Sequence, residues 1–481
     1  MRGRLIILLS VATLAAGCSG GGSTVSSTGT ATATTEPAPV TTPPQQQPQN
    51  VWPMFGVTPD RANLLRAPTG ITASNATTLA RVSIDVPGTV DSSPIFVGGR
   101  FVVTTSYGKT LALDRNGHLL WTYTPPGIDG WEGSAQITNA SPAADPDGEH
   151  VYAISPDGVV HKLDLADGSE VTGGGWPVTI TRDPTHEKLG TALNISGRLL
   201  LATTGGYIGD APPYQGHVVS IDRASGEIVH VWNALCSDRH EIIEPSSCPD
   251  SDAAIWARAG AVVEPGTGRI LVATGNAPYD GKAAWGDSVL ELSPDAGQLV
   301  GSWTPPNQEE LNSGDVDLGS TAPAVVRGAD GRLYGIQGGK DALLRVIDIE
   351  RMRVVQTLPT PGAGSMFTAP AVWGRNVFMA TAAGTAAYRL TGSGTPRLLN
   401  VWSNGTAGTS PVVAGGLVYV YHPTGGGINL YRPGSPNPIA TLPAEPGHWQ
   451  SPIAIDGRVL VGEGDANEHA TSGTLSLYRM A

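Results

Sequence analysis

Cysteine is scarce, with three in 481 residues, and no Cys-x-x-Cys-His occurs. A c-type haem attached to this chain is thereby excluded. Charge is sparse as well. Only 15% of residues are charged, and 29 Lys and Arg stand against 42 Asp and Glu, for a formal charge of −13. Nucleic-acid surfaces need clustered Lys and Arg to replace counterions, and a polybasic membrane patch needs the same residues. Neither partner is expected. The ten His show no metal spacing such as His-Glu-x-x-His, and there is no phosphate loop. What the chain has in quantity is Gly, with 63 residues, and Pro, with 39. That composition suits many tight turns and few long helices.

The first fifty residues read as targeting and tether. Arg2 and Arg4 precede an apolar stretch from Leu5 to Ala16, too short for a comfortable transmembrane helix. Ala15-Ala16-Gly17-Cys18 resembles a bacterial lipobox, although Leu14 lies one place earlier than the usual Leu. The expectation is a lipoprotein signal peptide over 1–17 and lipidation at Cys18, with a plainly cleaved secretory signal as the alternative. Residues 18–50 are rich in Gly, Ser, Thr, Pro and Gln, and they cannot offset their ordering entropy. A flexible tether is expected there, holding an extracytoplasmic protein at the cell envelope. In such an oxidising compartment Cys236 and Cys248 are expected to close a polar loop as a disulfide.

A unit recurs about every 40 residues from Thr89 onward. Each copy opens on small residues and a Pro, as in Asp91-Ser92-Ser93-Pro94-Ile95-Phe96. An apolar strand, a Gly turn and a strand ending in Leu-Asp or Ile-Asp follow, and the best copies close on a Trp. A repeat of several short strands cannot bury its own faces and reads as one blade of a radial β-array. Eight units can be laid out over 51–481. The last is one strand short, and Leu79 to Asp85 has the alternation to complete it. An all-β, eight-bladed propeller is therefore expected, with seven blades as the alternative. Trp121, Trp232, Trp303 and Trp402 are read as wedges between blades, and Trp52 to Gly56 as an N-terminal plug.

This pattern resembles the pyrroloquinoline quinone (PQQ) repeat superfamily. The repeats carrying it include Tyr107-Gly108-Lys109-Thr110-Leu111-Ala112-Leu113-Asp114 and Gly216-His217-Val218-Val219-Ser220-Ile221-Asp222. The superfamily holds quinoprotein alcohol dehydrogenases and also non-catalytic lipoprotein scaffolds of outer-membrane assembly. Four segments are similar to the dehydrogenases in order and approximate spacing. Ile255-Trp256-Ala257-Arg258 looks like the segment with the Trp beneath the cofactor. Ala273-Thr274-Gly275-Asn276 resembles the segment with a calcium-binding Asn. Asp315-Val316-Asp317 resembles the segment with the catalytic Asp, and Gly338-Gly339-Lys340 the one with a Lys at the quinone oxygens.

What the resemblance implies is PQQ and calcium, with Asp317 or Asp315 as base, Trp256, Asn276 and Lys340 at the cofactor, and Asn276, Asp317 and Asp210 at the metal. Asp210 enters because Gly205-Gly206-Tyr207-Ile208-Gly209-Asp210 lacks the Glu that usually follows that Gly-Gly. Two functions follow. One is a dehydrogenase oxidising an alcohol or sugar. The other is a cofactor-free scaffold holding an envelope protein or polymer. In either case a monomer is expected, held to the membrane through its lipid only.

Overall fold

Runs of β-branched and apolar residues, broken every few positions by a glycine turn, form strands through nearly the whole described chain. The computed structural model describes residues 50–392 and 394–480. The expected leader, the expected lipidation site Cys18 and all of the expected tether but Asn50 lie outside the described residues. Within them, eight antiparallel sheets follow one another in sequence and form the eight blades of a β-propeller. Blades one to eight span 95–123, 143–179, 194–233, 262–303, 324–359, 371–404, 412–442 and 453–480. The seven-blade alternative falls because units six to eight, which lack the closing landmarks, still build full sheets. Gln308–Ser313 is the single α-helix among the described residues, and no described helix is long and apolar enough to cross a membrane.

The opening turn of each repeat stitches blades together. Ser141 Oγ accepts from Ser93 N at 2.8 Å, joining blades two and one, and Ser410 Oγ accepts from Ala369 N at 2.9 Å, joining blades seven and six. The Trp near the end of a blade leans on the next. Trp121 donates from Nε1 to Leu165 O at 3.0 Å, and Trp402 to Pro433 O at 2.8 Å. The turn receiving Trp121 carries Gly168 at φ 77°, where a Cβ would stand 2.5 Å from the indole. Only glycine satisfies both the backbone angle and that contact.

Blade eight is completed from the other end of the chain. Leu79–Val86 pairs antiparallel with Gly473–Met480, from Leu79 opposite Met480 to Val86 opposite Gly473. The ring closes by main-chain hydrogen bonds, so no open strand edge is left between first and last blade.

The segment ahead of that strand crosses one end of the ring, touching the blades in turn. Trp52 pairs with Phe96 of blade one, and Pro53 O accepts from Ala144 N of blade two. Pro59 O accepts from Asn194 Nδ2 and Val263 N, of blades three and four. Ala62 O and Asn63 O accept from Val372 N and Val413 N, of blades six and seven. Arg61 lies beneath this crossing, 2% exposed. Its guanidinium donates to Phe55 O at 2.6 Å, Ala192 O and Leu193 O at 2.9 Å, and Ala259 O at 3.0 Å. Burial pushes Arg61 down to about 9, against the raising influence of Asp60.

Candidate functional site

The end of the ring away from this plug gathers polar and aromatic side chains. They stand on the stretches that lead into the innermost strand of each blade. Asp91, Asn139, Phe367 and Trp449 occupy one repeat position, three residues before the blade-opening Pro. Contacts between opposed blades show that these stretches reach the axis. Trp256 of blade four lies 5.9 Å from Trp449 of blade eight and 6.0 Å from Phe367 of blade six, between ring centroids. Phe367 and Trp449 stack at 5.0 Å, and His448 stacks on Trp449 at 4.2 Å. All four rings are half-buried.

Beside Trp256 lies an acidic half. Lys340 Nζ stands 5.5 Å from the Trp256 ring centroid, 2.8 Å from Asp315 Oδ1 and 2.9 Å from Asp317 Oδ2. The two carboxylates differ in setting, since Asp315 is 62% exposed and Asp317 3%. Asp317 Oδ1 is buried with no hydrogen-bond partner among the described residues. Burial pushes Asp317 up to about 6, and the charges of Asp315 and Asp210 add to this while Lys340 opposes it. Asp287, also buried, is pushed up to about 7, first by burial and further by Asp317. Leu318 N at 3.1 Å and Gln308 Nε2 at 3.4 Å hold it and partly offset the rise. Asp252 is raised by burial, then by Asp210 and Asp315. Burial would lower Lys340, but the charges of Asp317 and Asp315 and the hydrogen bonds to both together outweigh it, and the ammonium is raised.

The remaining sequence candidates are placed less tightly. Asn276 is half-buried. Its backbone O accepts from Ala253 N at 2.9 Å, and its amide group makes no hydrogen bond among the described residues. Its loop packs on the indole, since a Cβ on Gly275 would stand 3.4 Å from Trp256 Nε1. Asp210 is exposed and accepts from Tyr214 Oη at 3.0 Å, so it stands at the rim. Cys236 and Cys248 form a disulfide in the loop that leads to Asp252. The structure thus brings Trp256, Lys340, Asp315 and Asp317 together, with Asn276 alongside and Asp210 felt only through its charge.

A family model described as outer membrane protein assembly factor BamB matches residues 54–247. Among solved structures, the quinohemoprotein alcohol dehydrogenase from Comamonas testosteroni aligns over 90% of this chain and 80% of its own, at 17% identity and a TM-score of 0.66. The chain has the propeller fold of that dehydrogenase. A europium-containing methanol dehydrogenase aligns with the propeller over 89% of this chain and 98% of its own, at 14% identity and a TM-score of 0.68. BamB from Moraxella catarrhalis aligns over 83% and 97%, at 14% identity and a TM-score of 0.54. No curated protein sequence matches the chain. At these identities the structural likenesses carry the fold, and chemistry has to be argued from the well itself.

In this propeller several residues of the well escape motif reading. Asp287, Asp252, Phe367, Trp449, His448, Asp91 and Lys188 belong to no matched segment. The signal that finds four axial residues is positional, the place three before each blade-opening Pro. Lys188 has a different origin. Glu187–Lys188 is a two-residue strand outside the blades, paired with Gly205–Gly206. A Cβ on Gly206 would stand 2.6 Å from the Tyr214 ring, so the Gly-Gly lets that ring close over the pair.

Glu187 anchors this strand in the propeller. His217 Nε2 lies 2.9 Å from Glu187 Oε1, both side chains wholly buried, and His217 Nδ1 meets Asn233 Oδ1. Gln215 N and Thr181 Oγ1 also donate to Glu187. Burial alone would lower His217, but the charge of Glu187 and its hydrogen bonds with Glu187 and Asn233 outweigh it, so its folded value is raised. The stabilisation is then complete below the ordinary His value of about 6.5 and is lost as pH rises through the folded value. The urea midpoint is expected to fall on moving from pH 6 to pH 9, with a shallower fall in His217→Gln. An equal slope in the two proteins refutes the charged pair.

Proposed function

We propose that this propeller is an extracytoplasmic quinoprotein whose axial well takes PQQ with a hard cation such as calcium, and that it oxidises an alcohol or a sugar. The observation that carries this reading is the meeting of Trp256, Lys340 and Asp317 on the axis, with a buried carboxylate oxygen left unpartnered. The residues suit the group. Trp256 offers an aromatic face for a flat tricycle. Lys340 holds a cation beside that face, where negative charge on a reduced ring would be stabilised. Five carboxylates, Asp210, Asp252, Asp287, Asp315 and Asp317, feel one another's charge, and Lys340 pairs directly with two of them, Asp315 and Asp317. Their mutual repulsion is relieved by a cation bound among them, and oxygen ligands suit calcium. The free amide of Asn276 would hold it beside Asp317, with Asp210 contributing its charge from the rim.

When bound, PQQ supplies a two-electron acceptor for the hydride of the substrate carbon. Asp317 takes the hydroxyl proton at the oxygen left free by Lys340. Asp315, mostly in water, tethers the other side of the ammonium. Cys18 would fix the protein to the envelope through its lipid, with the tether between them.

The test is a titration of the purified protein with PQQ, with and without calcium, followed by Trp fluorescence and by dye reduction with alcohols and sugars. Calcium-dependent quenching is expected, weakened at least about tenfold in Trp256→Ala and Asn276→Ala, a loss of roughly 1.4 kcal/mol or more. No PQQ binding under either condition overturns the quinoprotein reading and leaves a cofactor-free envelope scaffold.

A further inference from the structure

The half of the well opposite Asp315 and Asp317 holds carboxylates that already have partners. Asp91 is wholly buried, and its oxygens are all engaged. His448 Nδ1 lies 2.7 Å from Oδ2, Asn139 Nδ2 donates to Oδ2 at 3.3 Å, and Arg258 lies 3.4 Å from Oδ1. Burial would raise Asp91, but Arg258, His448 and Lys188 hold it below the usual carboxylate range, so it stays charged. Arg258 is 6% exposed and also spent, donating to Asn139 O at 3.2 Å and to Asp91 O. Asp465 accepts from Asn467 N and Nδ2, both at 2.9 Å.

Two groups are left over. Lys188 Nζ makes no hydrogen bond and no ion pair among the described residues. It keeps part of its surface open although protein surrounds it, which describes a side chain on the wall of a well. His448 is the second, with 17% of its side chain exposed. Its Nδ1 is committed to Asp91, and its Nε2 has no partner among the described residues. With Nδ1–H donated to a carboxylate, Nε2 is left to exchange a hydrogen bond with a ligand. Lys188 and His448 face the same two carboxylates, Asp91 and Asp465.

An unmatched ammonium calls for an anion, and a free imidazole nitrogen for a hydroxyl. We propose that this half of the well binds the substrate itself, a polyhydroxylated carboxylate of the sugar-acid class, with its carboxylate on Lys188 and a hydroxyl on Nε2 of His448. This rests on the quinoprotein reading for the oxidation but not for the binding. The carboxylate gives the Lys188 ammonium a direct partner, where Asp91 and Asp465 act on it only through their charge. A neutral sugar would leave Lys188 unpaired. The acidic half repels the same carboxylate, so the molecule is oriented with its far hydroxyls toward Asp317.

The test uses the full chain without quinone and D-gluconate as the probe, with binding read by Trp fluorescence and calorimetry. D-gluconate is expected to bind at least about tenfold more tightly than D-glucose. Lys188→Met removes the difference and Lys188→Arg keeps it. His448→Phe preserves the stack on Trp449 and lowers gluconate to the affinity of acetate. Burial pushes Lys188 down to about 8, with Asp91 and Asp465 pulling it up and Arg258 pushing it down. Gluconate affinity should therefore drop about tenfold from pH 7 to pH 9. Equal binding of gluconate and glucose overturns the inference. So does a Lys188→Met variant that loses PQQ but keeps its gluconate preference, since the ammonium then serves the quinone. Gluconate preference without any PQQ binding supports the subsite and sinks the quinoprotein reading alone.

Discussion

Arg61→Ala is expected to cost the propeller about 3–5 kcal/mol, read as a lower urea midpoint at unchanged slope. The guanidinium donates to four carbonyls of Phe55, Ala192, Leu193 and Ala259. These belong to the crossing segment and to blades three and four. None can turn to water once the side chain is gone, because the site is buried. Hydrogen bonds from a charged donor are each worth roughly 1.5–3 kcal/mol, and neighbouring ones do not add fully. Arg61→Lys should recover only part of the loss, because an ammonium cannot reproduce the planar fork. A change below about 1 kcal/mol in Arg61→Ala would mean that the crossing segment is decoration on a ring stable without it.

Asp317→Asn is expected to lower dye-linked oxidation by about 10²–10⁴-fold, the usual worth of a positioned base. The change removes the proton acceptor while keeping shape and one oxygen, and Lys340 keeps Asp315 at 2.8 Å. PQQ binding, followed by fluorescence, should stay within a few-fold of the unchanged protein. Asp315→Asn should cost less than about tenfold, since that group is 62% exposed and water can replace it. Asp317 has to be ionised to act and burial lifts it to about 6, so the rate should climb with pH up to about 6 and level off above. A bound cation moves that limb lower. If Asp315→Asn proves the more damaging change, the roles of the two carboxylates are reversed.

The blades are legible from local pattern because each is a local object. Thr110–Leu113 pairs with Leu119–Tyr123 across one short turn, and period-two alternation with a Gly between strands suffices to read it. Leu79–Val86 is legible for the same reason, although its partner lies at the far end of the chain. Trp256, Asp317 and Lys340 were recoverable only through resemblance to a family, because nothing in their local spacing says that they meet. Trp449 and Phe367 carry no motif. What places them against Trp256 is the closure of the ring, and that is a property of all eight blades together. Lys188 is hardest to see, since its two-residue strand interrupts the repeat and gives no periodicity to read. Asp210 shows the opposite failure. A chain position matched to a missing Glu puts it at the rim, where it acts only at a distance.

The pairing of Leu79–Val86 with Gly473–Met480 makes the earliest-made part of the wheel wait for the latest. At about 5–20 residues per second, a ribosome separates those two strands by some tens of seconds. Over that time the N-terminal strand has no edge to join and the ring has no last member, so blades emerging meanwhile can only stack as an open arc. A pulse-labelled, ribosome-arrested chain ending before Gly473 should stay sensitive to protease at residues 50–86, and release of the last strand should protect them. Such timing suits the export proposed above, since a chain can be threaded through a membrane only before it sets.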